Sequence, residues 1–195
     1  MPMLSEIGIE QKFYEDFFGI RYDIRKKFNL DYLDSFPFMN PILILNPIGV
    51  TSEEVTKKLE VLGIKVECDR WIESALFKLS RTSTLKVVDW SDRPSKKTLG
   101  QNPKQIKSMI AGLSAEGRSF ISLQEYLIVT GLVFATTGKF LEERFSTYFP
   151  ELTCGNGASM ARSDTRPLEH RLIITSGNSH IGCGARIAIS IPLKY

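Results

Sequence analysis

The side chains best suited to chemistry in this 195-residue chain are two cysteines and two histidines near its C-terminal end. A cysteine thiolate acts as a nucleophile when an imidazole within hydrogen-bond reach takes its proton. Cys183 or Cys154 could attack, with His170 or His180 as the base. The sequence therefore leaves open a small thiol-dependent hydrolase or transferase, with these four residues as catalytic candidates.

The same side chains are also candidate zinc ligands, since His180 and Cys183 are separated by two residues, and Cys154 or His170 could complete a set. Structural zinc requires four ligands, and no Cys-x-x-Cys pair exists in the chain. A zinc site would use almost every remaining Cys and His. We therefore predict no metal site and no cofactor, and interpret this segment as a turn with incidental side chains.

A second set of polar side chains follows the third predicted strand, where open α/β sheets place their ligand crevice. These residues are Trp90, Asp92 and Arg93. We expect them to form a ligand-binding rim together with Asn178, which lies in the glycine-rich segment 176–184. Taken alone, the three strand-end side chains favour a salt-bridged rim that only stabilises the loop, with the ligand-binding rim as the other interpretation.

Residues 93–107 contain five basic residues and no acidic residue. The basic residues are Arg93, Lys96, Lys97, Lys104 and Lys107. Such a cluster can neutralise phosphate groups. No aromatic residue lies among them, and no helix-turn-helix or zinc-finger pattern is present. The sequence thus disfavours nucleic acid as a partner, and weak nucleic-acid binding remains a further alternative.

The elements that must position these groups include one strongly apolar helix, predicted at residues 122–137. Ser122 and Glu125 have the spacing of a capping box, and Gly138 suits the left-handed position that ends a helix. The segment Thr137-Gly138-Lys139 is not a phosphate-binding loop, because the glycine ends the helix and a phenylalanine replaces the required hydroxyl residue. The helix is too short to span a membrane, so we predict a buried core helix.

The rest of the chain predicts a mixed sheet. Short apolar runs at 42–45, 64–66 and 85–90 alternate with helical patterns, which indicates βαβ units. Runs at 172–175 and 185–191 flank the glycine-rich segment and predict a C-terminal antiparallel hairpin. The predicted class is therefore α/β (or α+β).

The domain organisation expected from length and periodicity is one globular domain over residues 1–195. A helical stripe over residues 5–28 predicts an N-terminal amphipathic helix, within residues 1–30, that packs on the domain or extends from it.

Composition bounds the class of protein. The chain is 43% hydrophobic and 24% charged with a net charge of +3, which is ordinary for a globular protein and too small to name a polyanionic partner. The first residues lack the features of a secretory signal, and three cysteines are too few for a disulfide framework. We expect a cytoplasmic protein that does not bind a membrane.

Four short motifs between residues 85 and 160 resemble, in the same order, a group of small uncharacterised bacterial proteins. The motifs are Val88-Asp89-Trp90-Ser91-Asp92-Arg93, Ile121-Ser122-Leu123-Gln124-Glu125-Tyr126-Leu127, Thr137-Gly138-Lys139-Phe140-Leu141 and Leu152-Thr153-Cys154-Gly155. The chain departs from the group at Lys96-Lys97, where the group has an acidic run. The resemblance implies a common fold, but no known activity follows from it.

No complete set of catalytic or metal-binding residues is visible in the sequence. We therefore predict a non-catalytic binding or accessory protein that acts through the rim near Trp90 and Arg93 and through the glycine-rich segment. Its expected partner is a protein or a small polar ligand.

Overall fold

The computed structural model describes residues 3–21, 23–30, 41–69, 83–89, 94–139, 145–154, 157–166, 169–177 and 183–193. The helices in these ranges are α1 (Met3–Phe18), α2 (Ile24–Lys27), α3 (Ser52–Val61), α4 (Pro103–Ser108), α5 (Ile110–Ala115) and α6 (Leu123–Thr137). The strands are β1 (Pro41–Asn46), β2 (Ile64–Cys68), β3 (Thr84–Asp89), β4 (Arg118–Phe120), β5 (Ser146–Cys154), β6 (Gly157–Arg166), β7 (Glu169–Gly177), β8 (Cys183–Gly184) and β9 (Ile187–Ile191).

The strands form two sheets. The first has the order β1-β3-β9-β4, and all of its strand pairs are antiparallel. The second has the order β2-β7-β6-β5-β8, with parallel pairs at its two edges and antiparallel pairs inside. The predicted combination of helices with a mixed sheet is thus confirmed.

The predicted βαβ units are wrong in their strand pairing. Helix α3 connects β1 to β2, but these two strands lie in different sheets, and β1 pairs with β3 in the antiparallel sense. The apolar runs were correct indicators of strands. They do not specify partners, because β3 finds its second neighbour, β9, about a hundred residues further along the chain.

The predicted C-terminal hairpin is also wrong. Its first run lies in β7, which pairs with β6 and β2, whereas its second run lies in β9, which pairs with β3 and β4. The antiparallel pair in this part of the chain is β6 with β7, from Ala158 opposite Gly177 to Arg166 opposite Glu169. Strand β6 is mainly polar, so its sequence carries no apolar run that would have indicated it.

Helix α6 contains the longest run of buried residues among the described elements. Every residue from Leu123 to Val133 is buried. Its N-terminal capping box is present, with Ser122 Oγ accepting from Glu125 N at 3.2 Å and Glu125 Oε2 accepting from Ser122 N at 2.8 Å. Gly138 ends the helix with φ 67°, so the predicted core helix and both of its end signals are confirmed.

One apolar cluster surrounds α6 and includes residues from both sheets and from α1, α2 and α3; examples are Phe13, Leu43, Leu59, Val87 and Leu172. The predicted helix over residues 5–28 is in two parts, because α1 ends at Phe18 and Gly19 takes a left-handed φ of 66°. The helical pattern expected between the apolar runs at 64–66 and 85–90 falls in residues 70–82, which lie outside the described residues. Within the described ranges, no helix has the length and apolar character needed to cross a bilayer.

Strand β1 is an edge strand of the first sheet, and α1 covers part of its outer edge. The hydroxyl of Tyr14 accepts a hydrogen bond from Leu45 N at 2.8 Å, and both residues are buried. An edge N–H that would otherwise be available to another strand is therefore satisfied within the chain.

Candidate functional site

The predicted cysteine and histidine pair is not assembled where the structure describes it. Cys183 lies on β8 opposite Ser146 of β5, while His170 lies on β7, three strand positions away in the same sheet. Three strand spacings correspond to about 14 Å, and a further offset of three residues along the strands brings the separation to roughly 17 Å. A thiol and its base must approach to about 3 Å, so Cys183 and His170 do not form a catalytic pair.

Cys154 lies at the opposite end of β5 from Ser146, the residue beside Cys183. The two cysteines are therefore also apart in the sheet. His180 lies outside the described residues, and a pair that includes it stays a prediction. No group of three or more His, Cys, Asp or Glu side chains in the described part of the chain is arranged to hold a metal ion.

The surroundings of Cys183 and His170 also argue against a catalytic role for this pair. Cys183 is buried, and burial together with the adjacent Cys183 thiol raises the pKa of the Tyr148 hydroxyl. His170 is exposed, and its ring makes an edge-to-face contact with the ring of Phe134 of α6 at a centroid distance of 4.8 Å. A thiol in an apolar interior is protected from reaction, which is the opposite of what a nucleophile requires.

The predicted ligand-binding rim lies outside the described residues, since Trp90, Asp92, Arg93 and Asn178 are all in ranges that the structure leaves undescribed. It stays a prediction.

The adjacent described region contains a charged residue that the sequence analysis missed. Arg186 is 1% exposed, and it donates from Nε to Thr147 Oγ1 at 3.2 Å and from Nη1 to the carbonyl of Asp89 at 3.4 Å. Arg186 thereby connects β3 to β5, across the two sheets. An arginine between apolar strand residues was the only signal for it.

The four lysines of the predicted basic cluster are exposed. Lys96 and Lys97 lie in the turn before α4, and Lys104 and Lys107 lie on α4 itself. None of them forms an ion pair with another described residue. Lysines that only contact water would also be exposed and without ion pairs. The role of these four lysines in binding a polyanion therefore stays a prediction.

The described residues enclose a groove between three helices, which we call the helical groove. Its volume is about 360 Å³, within the usual range of small-molecule sites. It lies between α1, α3 and α6; its lining residues are Lys12, Phe13, Asp16, Phe17, Lys58, Val61, Leu62, Ala135 and Thr136.

The floor of the helical groove is apolar and firmly packed. The rings of Phe13 and Phe17 stack at a centroid distance of 4.7 Å, and both side chains belong to the main core. Gly131 of α6 lies beneath them, where an added Cβ would be 2.9 Å from Leu59 Cδ2 and 3.4 Å from each ring. The absence of a side chain at Gly131 therefore allows the three helices to approach closely. Val61, 84% exposed at the edge, extends the apolar surface outward.

The rim of the helical groove carries unequal charge. Lys12 comes from α1 and Lys58 from α3, and neither ammonium forms an ion pair with another described residue. Among the described residues, Asp16 contributes the one carboxylate of the lining. With two positive charges and one negative charge, the groove favours an anionic group on any apolar molecule that enters it.

A buried ion pair links the first sheet to the start of α6. Lys86 Nζ of β3 lies 2.9 Å from Glu125 Oε2, and the two side chains are 13% and 3% exposed. Glu125 Oε1 also accepts from Thr84 Oγ1 at 3.3 Å. The sequence predicted Glu125 as a capping residue but gave no signal for its pairing with Lys86, because the contact joins residues 39 positions apart.

Comparison of the chain with protein-family models, with curated proteins and with solved structures finds no match. The function is therefore inferred from the geometry alone, and the resemblance over residues 85–160 stays a prediction.

Proposed function

We propose that this protein is a non-catalytic binding protein that holds a small amphipathic acid in the helical groove. The observation that carries the proposal is a cavity of about 360 Å³ with an apolar floor and two lysines, from different helices, that have no ion-pair partner among the described residues. An apolar body would lie on Phe13 and Phe17, and its carboxylate would meet Lys12 and Lys58.

The apolar floor supplies most of the expected binding energy. Phe13 and Phe17 are already fixed by core packing, so little side-chain entropy is lost when a ligand covers them. The stacked rings favour a flat aromatic body over a branched one. For a ligand of naphthoic-acid size we expect a Kd on the order of 0.1 to 1 mM.

The lysines supply selectivity. An ammonium at the edge of a groove contributes only about 1 kcal/mol to an ion pair, because water screens it. Two lysines acting on one carboxylate should therefore favour the acid over its uncharged isostere by about tenfold. Asp16 weakens this preference and would disfavour a ligand with a second negative charge near it.

The test is a calorimetric titration with 2-naphthoate and with 2-naphthamide. The wild-type protein should bind the acid about tenfold more tightly than the amide. In Lys58→Glu, a variant of an exposed residue, this preference should disappear. Lys57→Glu is the matched control, because Lys57 is the neighbouring exposed lysine, pairs with Glu53 at 2.8 Å and does not line the groove.

Two results would contradict the proposal. One is equal binding of acid and amide by the wild-type protein. The other is an equal loss of binding in Lys58→Glu and Lys57→Glu, which would show that overall charge and not the groove is responsible. Backbone amide shifts in an NMR titration should be largest in α1, α3 and α6.

We expect the protein to be cytoplasmic and non-catalytic, as its sequence predicts. The helical groove replaces the predicted rim of Trp90, Asp92 and Arg93 as the proposed binding site, because it lies within described residues and has the volume that a ligand needs. For the thiol alternative, Cys183 would need His180 as its base, whereas Cys154 with either histidine stays a prediction.

A further inference from the structure

Residues 94–115 carry four positive charges and no negative charge, because they contain four lysines, no arginine and no acidic residue. All four side chains are exposed, and we call them the lysine surface; they are Lys96, Lys97, Lys104 and Lys107. None of them forms an ion pair with another residue of the described ranges. The net charge of the whole chain is only +3, so the lysine surface is a local excess of positive charge.

The first two lysines lie in a turn whose backbone is bonded to the segment beneath it. Thr98 of this turn is fully buried, and its hydroxyl accepts from Ala185 N at 3.0 Å. At the end of the turn, Gly100 N donates to the Cys183 carbonyl at 2.8 Å. These bonds fix the backbone between them, so the two lysine side chains extend from a rigid base.

The other two lysines lie on α4, which is anchored to the same segment. Ile106 of α4 is 1% exposed and packs in a small apolar cluster with Cys183 and Ala185. Lys104 and Lys107 are three positions apart on the helix, which places their Cβ atoms about 5 to 6 Å apart on one face. Because the turn and the helix both rest on residues 183–185, their four lysines belong to one surface.

We infer that the lysine surface binds the phosphate backbone of a nucleic-acid duplex without reading its sequence, at a place separate from the helical groove. Lysines that neutralise phosphates release counterions, and this effect alone supports non-specific binding. Single strands are bound largely by base stacking on aromatic side chains, and residues 94–115 contain no aromatic residue. A duplex carries more phosphate charge per unit length and needs no stacking, so it suits a surface made of lysines alone.

An anionic membrane is the competing partner. Helices that lie on a membrane combine basic residues with a broad apolar face. In α4 the apolar residue Ile106 is in the core, and Ile110, which is 40% exposed, is the one large hydrophobic residue exposed in residues 94–115. A single exposed isoleucine does not make an apolar face, so the duplex is the better fit.

The test is fluorescence anisotropy with a labelled DNA duplex of about 20 base pairs at salt concentrations from about 50 to 200 mM. At the lowest salt the wild-type protein should bind with a Kd on the order of 10 μM. Four phosphate contacts predict a slope of about −3.6 when the logarithm of the affinity is plotted against that of the salt concentration. Affinity should therefore fall about 150-fold over this range.

Variants test whether the lysine surface is responsible. In Lys104→Gln with Lys107→Gln the slope should change to about −1.8, because two contacts remain. Lys104→Arg with Lys107→Arg should keep the wild-type slope, since both charges are retained. The matched control is Lys26→Gln with Lys57→Gln, which removes two exposed lysines that form ion pairs of 3.5 and 2.8 Å on other helices. It should leave the slope unchanged.

Four results would overturn the inference. They are no binding of the duplex at about 50 mM salt, an equal change of slope in the test and control variants, tighter binding of a single strand of the same length, and binding to vesicles with about 30% phosphatidylserine but not to the duplex. None of these results bears on the helical groove, whose lysines are Lys12 and Lys58.

Discussion

Two buried tyrosines differ in the hydrogen-bond partners of their hydroxyl groups. Tyr14 Oη accepts from Leu45 N at 2.8 Å, whereas Tyr148 Oη lies beside the Cys183 thiol, a weak hydrogen-bonding group. Both residues are 1% exposed. The pair therefore separates the loss of a hydrogen bond to the backbone from the loss of a weak contact with a thiol.

Tyr14→Phe should lower the free energy of unfolding by about 1 to 3 kcal/mol, because the Leu45 N–H is left buried and unsatisfied. Tyr148→Phe is the control and should change it by less than about 0.5 kcal/mol or raise it slightly. Urea denaturation followed by circular dichroism measures both values. Similar losses in the two variants would show that the Tyr14 hydrogen bond does not stabilise the edge of β1.

The raised pKa of the Glu151 carboxyl predicts that the stability of the protein depends on pH. The pKa of its carboxyl is raised, chiefly by burial, although the residue as a whole is exposed. The folded state therefore holds the proton more tightly than the unfolded state does. Stability from this group is then lost as the pH rises from about 4.3, the unfolded value, through the raised folded pKa.

In Glu151→Gln this loss should be absent, since the amide oxygen can still accept from Leu123 N but carries no proton to release. The difference in unfolding free energy between variant and wild type should shift in favour of the variant as the pH rises above about 4.3. Urea denaturation at a series of pH values measures it. A constant difference across the series would show that Glu151 has the same pKa in both states.

At the scale of elements, Glu125 joins β3 to α6. It completes the capping box of α6 and pairs with buried Lys86. Glu125→Ala should lower the free energy of unfolding by about 3 to 5 kcal/mol, because Lys86 would remain buried without its partner. Glu116→Ala, which removes an exposed ion pair with Arg118, should cost less than about 1 kcal/mol.

The double variant Lys86→Met with Glu125→Ala tests the cause. It should recover part of the loss, because no buried charge remains. If Glu125→Ala costs no more than Glu116→Ala, the ion pair contributes little. If the double variant is no more stable than Glu125→Ala, capping and not charge burial explains the loss.

Features that depend on neighbouring residues could be predicted from the sequence, and features that depend on distant ones could not. The capping box at Ser122 and the glycine at the end of α6 follow from residues a few positions apart, and both are confirmed. Sheet partners, the Lys86 ion pair and the buried Arg186 join residues far apart in sequence. No local pattern specifies such contacts.

The candidate binding sites also depend on contacts between distant residues, which the sequence does not specify. The sequence indicated candidate side chains by type, but the helical groove is made by apolar residues and ordinary surface charges from three helices. Phe13 and Phe17 were visible as a helical stripe on α1, which predicts a packed face. One edge of this face stays uncovered because of where α3 and α6 lie. The sequence of α1 does not specify the positions of those two helices.

At the scale of the whole molecule, both sheets depend on contacts between distant parts of the chain. Strand β2 pairs with β7, and β3 pairs with β9, in each case about a hundred residues apart. Domains dominated by such contacts fold in milliseconds to seconds, because the loops must close before the contacts form. We expect refolding on that timescale in stopped-flow fluorescence. Complete refolding within a microsecond would contradict this topology.

Strand β9 is the last strand of the described chain to be synthesised, yet it lies inside the first sheet, between β3 and β4. During synthesis on the ribosome, one edge of β3 therefore stays unpaired until β9 is made, and β2 stays unpaired until β7 is made. Unpaired strand edges and exposed apolar surface promote aggregation of nascent chains. The order in which this chain is made should therefore make its synthesis depend on chaperones that hold unfinished chains.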